Sequence, residues 1–81
     1  MRNHNITIEQ YDEMHKKQKG RCAICGVHQT ELKFALHVDH DHETNIKRSL
    51  LCKKCNTALG MFNDSIEILI NAINYLKKWK Y

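Results

Sequence analysis

Leu36-His37-Val38-Asp39-His40-Asp41-His42 is the stretch that decides how this chain is read. Two aspartates and three histidines fall within positions 37–42, between two equally spaced pairs, Cys22-Ala23-Ile24-Cys25 and Cys52-Lys53-Lys54-Cys55. Sulfurs spaced C-x-x-C reach adjacent corners of a tetrahedral ion, and zinc takes four such ligands. Cys22, Cys25, Cys52 and Cys55 are therefore the expected ligands of one Zn2+. A redox C-x-x-C is the rival for one pair, but it leaves the second pair unexplained. Four thiolates leave no coordination position for water, so this zinc is expected to be structural. It would tie the segment before the Asp-His stretch to the segment after it.

The chain has 81 residues, which predicts one domain over 1–81. A domain of this size buries only about 60–65% of the surface its unfolded chain exposes. Such domains often need a metal, disulfides or a partner subunit. Thirteen Lys and Arg against nine Asp and Glu give a net charge of +4, which favours an anionic partner, nucleic acid first. No apolar run reaches the roughly 18 residues of a membrane span. The opening residues Met1-Arg2-Asn3-His4-Asn5 lack the apolar core of a signal peptide. The expectation is the cytoplasm of a bacterium or phage-infected host, where paired cysteines serve as metal ligands more readily than as disulfides.

Local patterns outline an α+β chain. Thr7 and Gln10 form a capping box for a helix from about 8 to 18, with Gly20 free to turn left-handed after it. Gly26 lets the backbone turn past the first sulfur pair. Residues 33–39 alternate like a strand, 42–45 read as a polar turn with Asn45 tolerating positive φ, and 46–51 return as the second strand. A helix over about 53–61 stops at Gly60. Asp64 caps a last helix from about 65 to 78. On that helix Ile66, Leu69, Ile70, Ile73 and Leu76, widened by Ile68, Ala72, Tyr75 and Trp79, make an apolar arc of roughly 220°. So wide a stripe calls for a cover, either the N-terminal helix or a second copy of the chain. A homodimer through the C-terminal helix is the expectation.

The cysteines having been assigned to zinc, Asp39 and Asp41 remain as hard oxygen ligands, suited to Mg2+ or a similar ion. A neutral imidazole can take a proton from water near neutral pH. Asp39 as ligand beside His40 as base makes a minimal phosphodiester-hydrolysing pair. The blander alternatives are a polar surface loop, or a second metal site of His37, His40 and His42. In a regular strand Asp39 and His40 face opposite sides, so a strand end or bulge is predicted near residue 39.

The order Cys-Ala-Ile-Cys-Gly (22–26), Val-Asp-His-Asp-His (38–42), Lys-Arg-Ser-Leu-Leu-Cys (47–52), Lys-Lys-Cys-Asn (53–56) and Ala-Leu-Gly (58–60) resembles the recombination endonuclease VII family. These are phage-type HNH nucleases with a ββα-metal core, and the likeness covers about residues 18–76. The resemblance implies a small zinc-stapled HNH fold flanked by an N-terminal helix and a C-terminal amphipathic helix. It further implies that Asp39 and Asn56 hold a catalytic Mg2+ or Mn2+, that His40 is the general base, and that His42 contacts the scissile phosphate. It places Arg48 on the DNA backbone; Lys16, Lys17, Lys19, Lys47, Lys53 and Lys54, by their charge, are further candidates for backbone contact. His37 is either a phosphate contact or a structural histidine. Asn45 and Ser49 stand where family members often carry glycine. The junction-resolving members have a further C-terminal region. The activity expected here is therefore nicking or double-strand cleavage of DNA with weak sequence preference, leaving 5′-phosphate ends. The rivals are a non-catalytic zinc-ribbon DNA-binding module and an interaction protein working through its apolar last helix.

Overall fold

The computed structural model describes residues 6–41 and 43–80, the last in backbone only. Among these residues three helices, α1 (Ile8–Lys17), α2 (Lys53–Met61) and α3 (Ile66–Lys80), accompany a two-stranded antiparallel sheet of β1 (His37–His40) and β2 (Lys47–Leu51). A short 3-10 turn spans Gln29–Glu31. α1 rests on β2, and α2 rests on both strands.

α1 begins at the predicted capping box: the Thr7 hydroxyl accepts from Gln10 N–H while the Gln10 side chain accepts from Thr7 N–H. The chain leaves the helix through two left-handed residues, Lys19 (φ 56°) and Gly20 (φ 70°). It then crosses into the first cysteine pair, where Gly26 (φ 79°) allows the Gly26 N–H to bond back to Cys22 C=O. Ala23 N–H donates to Leu50 C=O, which fastens this knuckle to β2.

β1 is shorter than the predicted strand at 33–39 and starts only at His37. The cause is a side chain. Gln29 accepts from Leu36 N–H (2.9 Å) and donates to Phe34 C=O (3.1 Å), so its amide takes the place of a neighbouring strand. Phe34 is consequently exposed, with the Lys53 ammonium 5.2 Å from its ring centre, while Leu36 is fully buried. Gln18 does the same for β2, accepting from Leu50 N–H (2.8 Å) and donating to Leu50 C=O (3.0 Å).

The predicted irregularity is present. Val38 pairs with Leu50 and His40 with Lys47, so two steps along β1 match three along β2. Arg48 and Ser49 therefore stand opposite Asp39, and the extra residue belongs to the returning strand. At the hairpin turn, Asp41 Oδ1 accepts from the N–H groups of Glu43 and Thr44, and Asn45 takes positive φ (67°) as expected. Those donors, Thr44 first and then Glu43, hold the Asp41 carboxyl below its usual range.

Two helix ends differ from expectation. α2 runs through Gly60 to Met61, and the reversal is made instead by Asn63 and Asp64, both left-handed at φ 55°. An N-cap needs an extended backbone, so Asp64 does not cap α3. Ser65 does, its hydroxyl accepting from Ile68 N–H at 3.1 Å. The Asp64 carboxylate goes to Arg48 instead.

Among the described residues, the buried core comprises Cys22, Leu36, Leu50, Leu51, Cys52 and Cys55, and the one buried charged group is Asp39. Half of that core is cysteine. α3 stands apart from it. Ile66 is 75% exposed, Ile70 50%, Ile73 51%, Leu76 50% and Trp79 67%. α1 packs on β2, so it leaves the α3 stripe uncovered.

Candidate functional site

The four sulfurs converge. Cys22 and Cys25 come from the knuckle, Cys52 caps α2 at its N-terminus, and Cys55 lies in the first turn of α2. Their Sγ atoms all lie within 4.8 Å of one another. Cys25 Sγ and Cys52 Sγ are 3.8 Å apart. A tetrahedral zinc with Zn–S near 2.3 Å sets an edge of about 3.8 Å. A disulfide needs about 2.05 Å, and all four cysteines are free thiols. Burial alone would raise the Cys22 thiol, but N–H groups of Cys52, Cys25 and Ile24, with the Cys55 thiol, bring it down to about 6. Burial, then Cys52, Cys22 and Cys25, push Cys55 up to about 12. Within the cluster one sulfur's thiolate is thus held by its neighbours' donors, and the thiolate is the form that binds a metal. Four sulfurs in this arrangement can hold zinc.

In β1, Asp39 is buried, with 7% of its surface exposed. Its Oδ2 accepts from Arg48 Nε at 2.5 Å. The other arm of the guanidinium reaches Asp64 Oδ2 at 3.1 Å and the His40 carbonyl at 3.5 Å. Arg48 is therefore a bridge between two carboxylates, and its own acidity falls further because of them, Asp39 foremost. It does not stand free on the surface, as a pure backbone contact would. Asp64, with Asp41, Glu43, Gly60 and Asn63, lines a cleft of about 500 Å3.

The remaining candidates are distributed as follows. His40 is half-buried at the end of β1, paired across the sheet with Lys47. Asn56 is half-buried on α2 directly after Cys55, its N–H bonded to Cys52 C=O at 2.9 Å. His37 is half-buried, and its Nε2 is enclosed without a hydrogen-bond partner. His42 lies outside the described residues. Lys16, Lys17, Lys19, Lys53 and Lys54 are exposed. Among the described residues, the four cysteines are the one group of three or more His, Cys, Asp or Glu side chains close enough to share an ion. Asp41, the second candidate for hard-metal ligation, is instead engaged by the turn it organises.

Three contributors escape a reading of the sequence. Gln18 and Gln29 look like solvated polar residues, and nothing in their spacing marks them as edge partners. Asp64 looks like a helix cap, and only the left-handed backbone at 63–64 shows it serving Arg48.

Among the described residues, no helix is long and apolar enough to cross a membrane. The family model for recombination endonuclease VII matches residues 1–78. The chain is 47% identical over 76 residues to the Gene 59 protein of Mycobacterium phage D29, covering 93% of this chain and 46% of that protein. It is 45% identical over 74 residues to the Gene 59 protein of Mycobacterium phage L5, covering 90% of this chain and 44% of that protein. The chain thus spans less than half the length of these curated relatives. With a family match over nearly all its residues, together with a four-sulfur cluster and a buried aspartate, the chain belongs to the recombination endonuclease VII family.

Proposed function

We propose that this chain is a metal-dependent DNA endonuclease of the HNH type, a single domain over 1–81 that hydrolyses phosphodiesters with weak sequence preference. The observation that carries the reading is Asp39: a buried carboxylate at the register break, directly before His40, already neutralised by a cation. Such a pocket favours positive charge next to its one carboxylate. A Mg2+-type ion needs only one or two protein carboxylates, with water and phosphate completing its shell. The ligands proposed for it are the Asp39 carboxylate and the Asn56 amide, both hard oxygen donors. When bound, the ion would polarise the phosphoryl group and stabilise the leaving oxygen.

The rest is work for this chain's own residues. The His40 imidazole takes a proton from water as the water oxygen attacks phosphorus, and the bond to the 3′ oxygen breaks, that oxygen taking a proton from solvent as it leaves. His42 contacts the phosphate. The four thiolates hold a structural zinc that fixes Asn56 through its neighbour Cys55. Arg48, Lys47 and Lys53 face the DNA backbone, while His37, its Nε2 enclosed, fits the structural histidine of the strand better than a phosphate contact. Such contacts give affinity that falls with salt and reads little sequence. The apolar stripe of α3 pairs with a second copy of the chain. The protein acts in the cytoplasm of a bacterium or of a phage-infected host.

A plasmid-nicking assay decides. Wild type should convert supercoiled plasmid with Mg2+ or Mn2+ and stop with EDTA, while H40A and N56A should lose about 10²-fold or more in rate. A non-catalytic zinc module would leave plasmid intact under every condition while still retarding it in a gel. Full activity in H40A would exclude His40 as the base.

A further inference from the structure

Arg48 poses a problem for any cation at Asp39. The Asp39 carboxylate is nearly inaccessible to water, and its Oδ2 is taken by Arg48 Nε. A divalent ion and a guanidinium cannot share that oxygen at full strength. One of them must yield. Asp64, itself left-handed at φ 55°, accepts from the other arm of the same guanidinium at 3.1 Å.

Resting on the proposed nuclease site, we infer that Arg48 is a built-in counter-ion that competes with the divalent cation for Asp39. Asp64 is then the positioning residue that keeps the displaced guanidinium at the site. Without the ion, Arg48 bridges Asp39 and Asp64. With the ion on Asp39, Arg48 stays on Asp64 alone, and its Nε–H edge turns to an incoming phosphate. Arg is suited to this exchange because its planar fork can serve two acceptors at once. Linkage requires that whatever ties Arg48 to Asp39 weakens ion binding by the same factor.

The test is Mn2+ affinity of the zinc-loaded chain, read from the paramagnetic signal of free Mn2+ without DNA or turnover. D39N should abolish binding; if it binds as wild type does, the proposed ion site itself is wrong. With that established, R48M should bind Mn2+ at least about fivefold more tightly, the lower end of ordinary coupling between ligands. Unchanged or weaker binding overturns the competition. D64N should weaken binding in the wild-type background and leave it unchanged in R48M. An equal loss in both would make Asp64 a remote charge and not a holder of Arg48. Should R48M fail to fold, the wild-type protein answers alone. Saturating Mg2+ should shift the nitrogen-15 signal of the Arg48 Nε–H as its bond to Asp39 is released. A signal that does not move on saturation overturns the inference.

Discussion

Removing the Ser65 hydroxyl should cost about 1 kcal/mol, the ordinary value of a helix cap, because Ser65 satisfies Ile68 N–H at the start of α3. D64A should lose no cap, and its effect should run through Arg48. Urea midpoints of S65A and D64A compared with D64A in an R48M background separate the two roles. Gly20 is a harder constraint. Its φ of 70° disfavours a side chain, and an added Cβ would lie 3.1 Å from His15 and from His28. G20A should lose about 1–3 kcal/mol by thermal unfolding, the scale of a forced left-handed residue plus local repacking. At this scale the sequence is legible where backbone chemistry is local. Thr7 with Gln10, Gly26 and Asn45 behave as their types predict. Legibility ends at Asp64, because the side chain of a capping residue type is claimed by a residue sixteen positions away.

The elements are positioned more by sulfur than by carbon. α2 starts on Cys52, the knuckle ends on Cys25, and only three leucines complete the buried core of the described residues. Each buried leucine contributes about 1.5–3 kcal/mol. Structural zinc in comparable modules contributes on the order of 10–16 kcal/mol, as much as the whole stability of an ordinary domain. Stripping the metal with a strong zinc chelator should therefore collapse the far-UV circular dichroism of the protein, and C22S should fail to fold in zinc. A chain that keeps its cooperative melt after zinc removal would contradict a zinc staple. The two C-x-x-C pairs make this centre legible in the sequence, because ligand spacing is a local property. The start of β1 is not legible in the same way. Alternation at residues 33–39 continues past the point where Gln29 ends the ladder, and a glutamine acting across seven positions leaves no periodic trace.

The molecule as a whole is less compact than its length implies. Its radius of gyration is 14.1 Å, against about 12 Å for a compact chain of this length. α3 projects its isoleucines, Leu76 and Trp79 into solvent. Light scattering should give the mass of two chains at micromolar concentration, and I70D with I73D should give one. A monomeric wild type would leave the stripe without the partner proposed for it. DNA retardation should weaken steeply between about 50 and 200 mM salt if the lysines and Arg48 meet phosphates. A last consequence concerns the sheet. A ribbon of two strands ordinarily offers open borders to which a stray chain can attach and seed aggregates. Here the main-chain groups of Leu50 are already plugged by the Gln18 amide. That single carboxamide acts as a stopper against runaway association, so Q18A should stay folded at low concentration yet form thioflavin-positive deposits on storage.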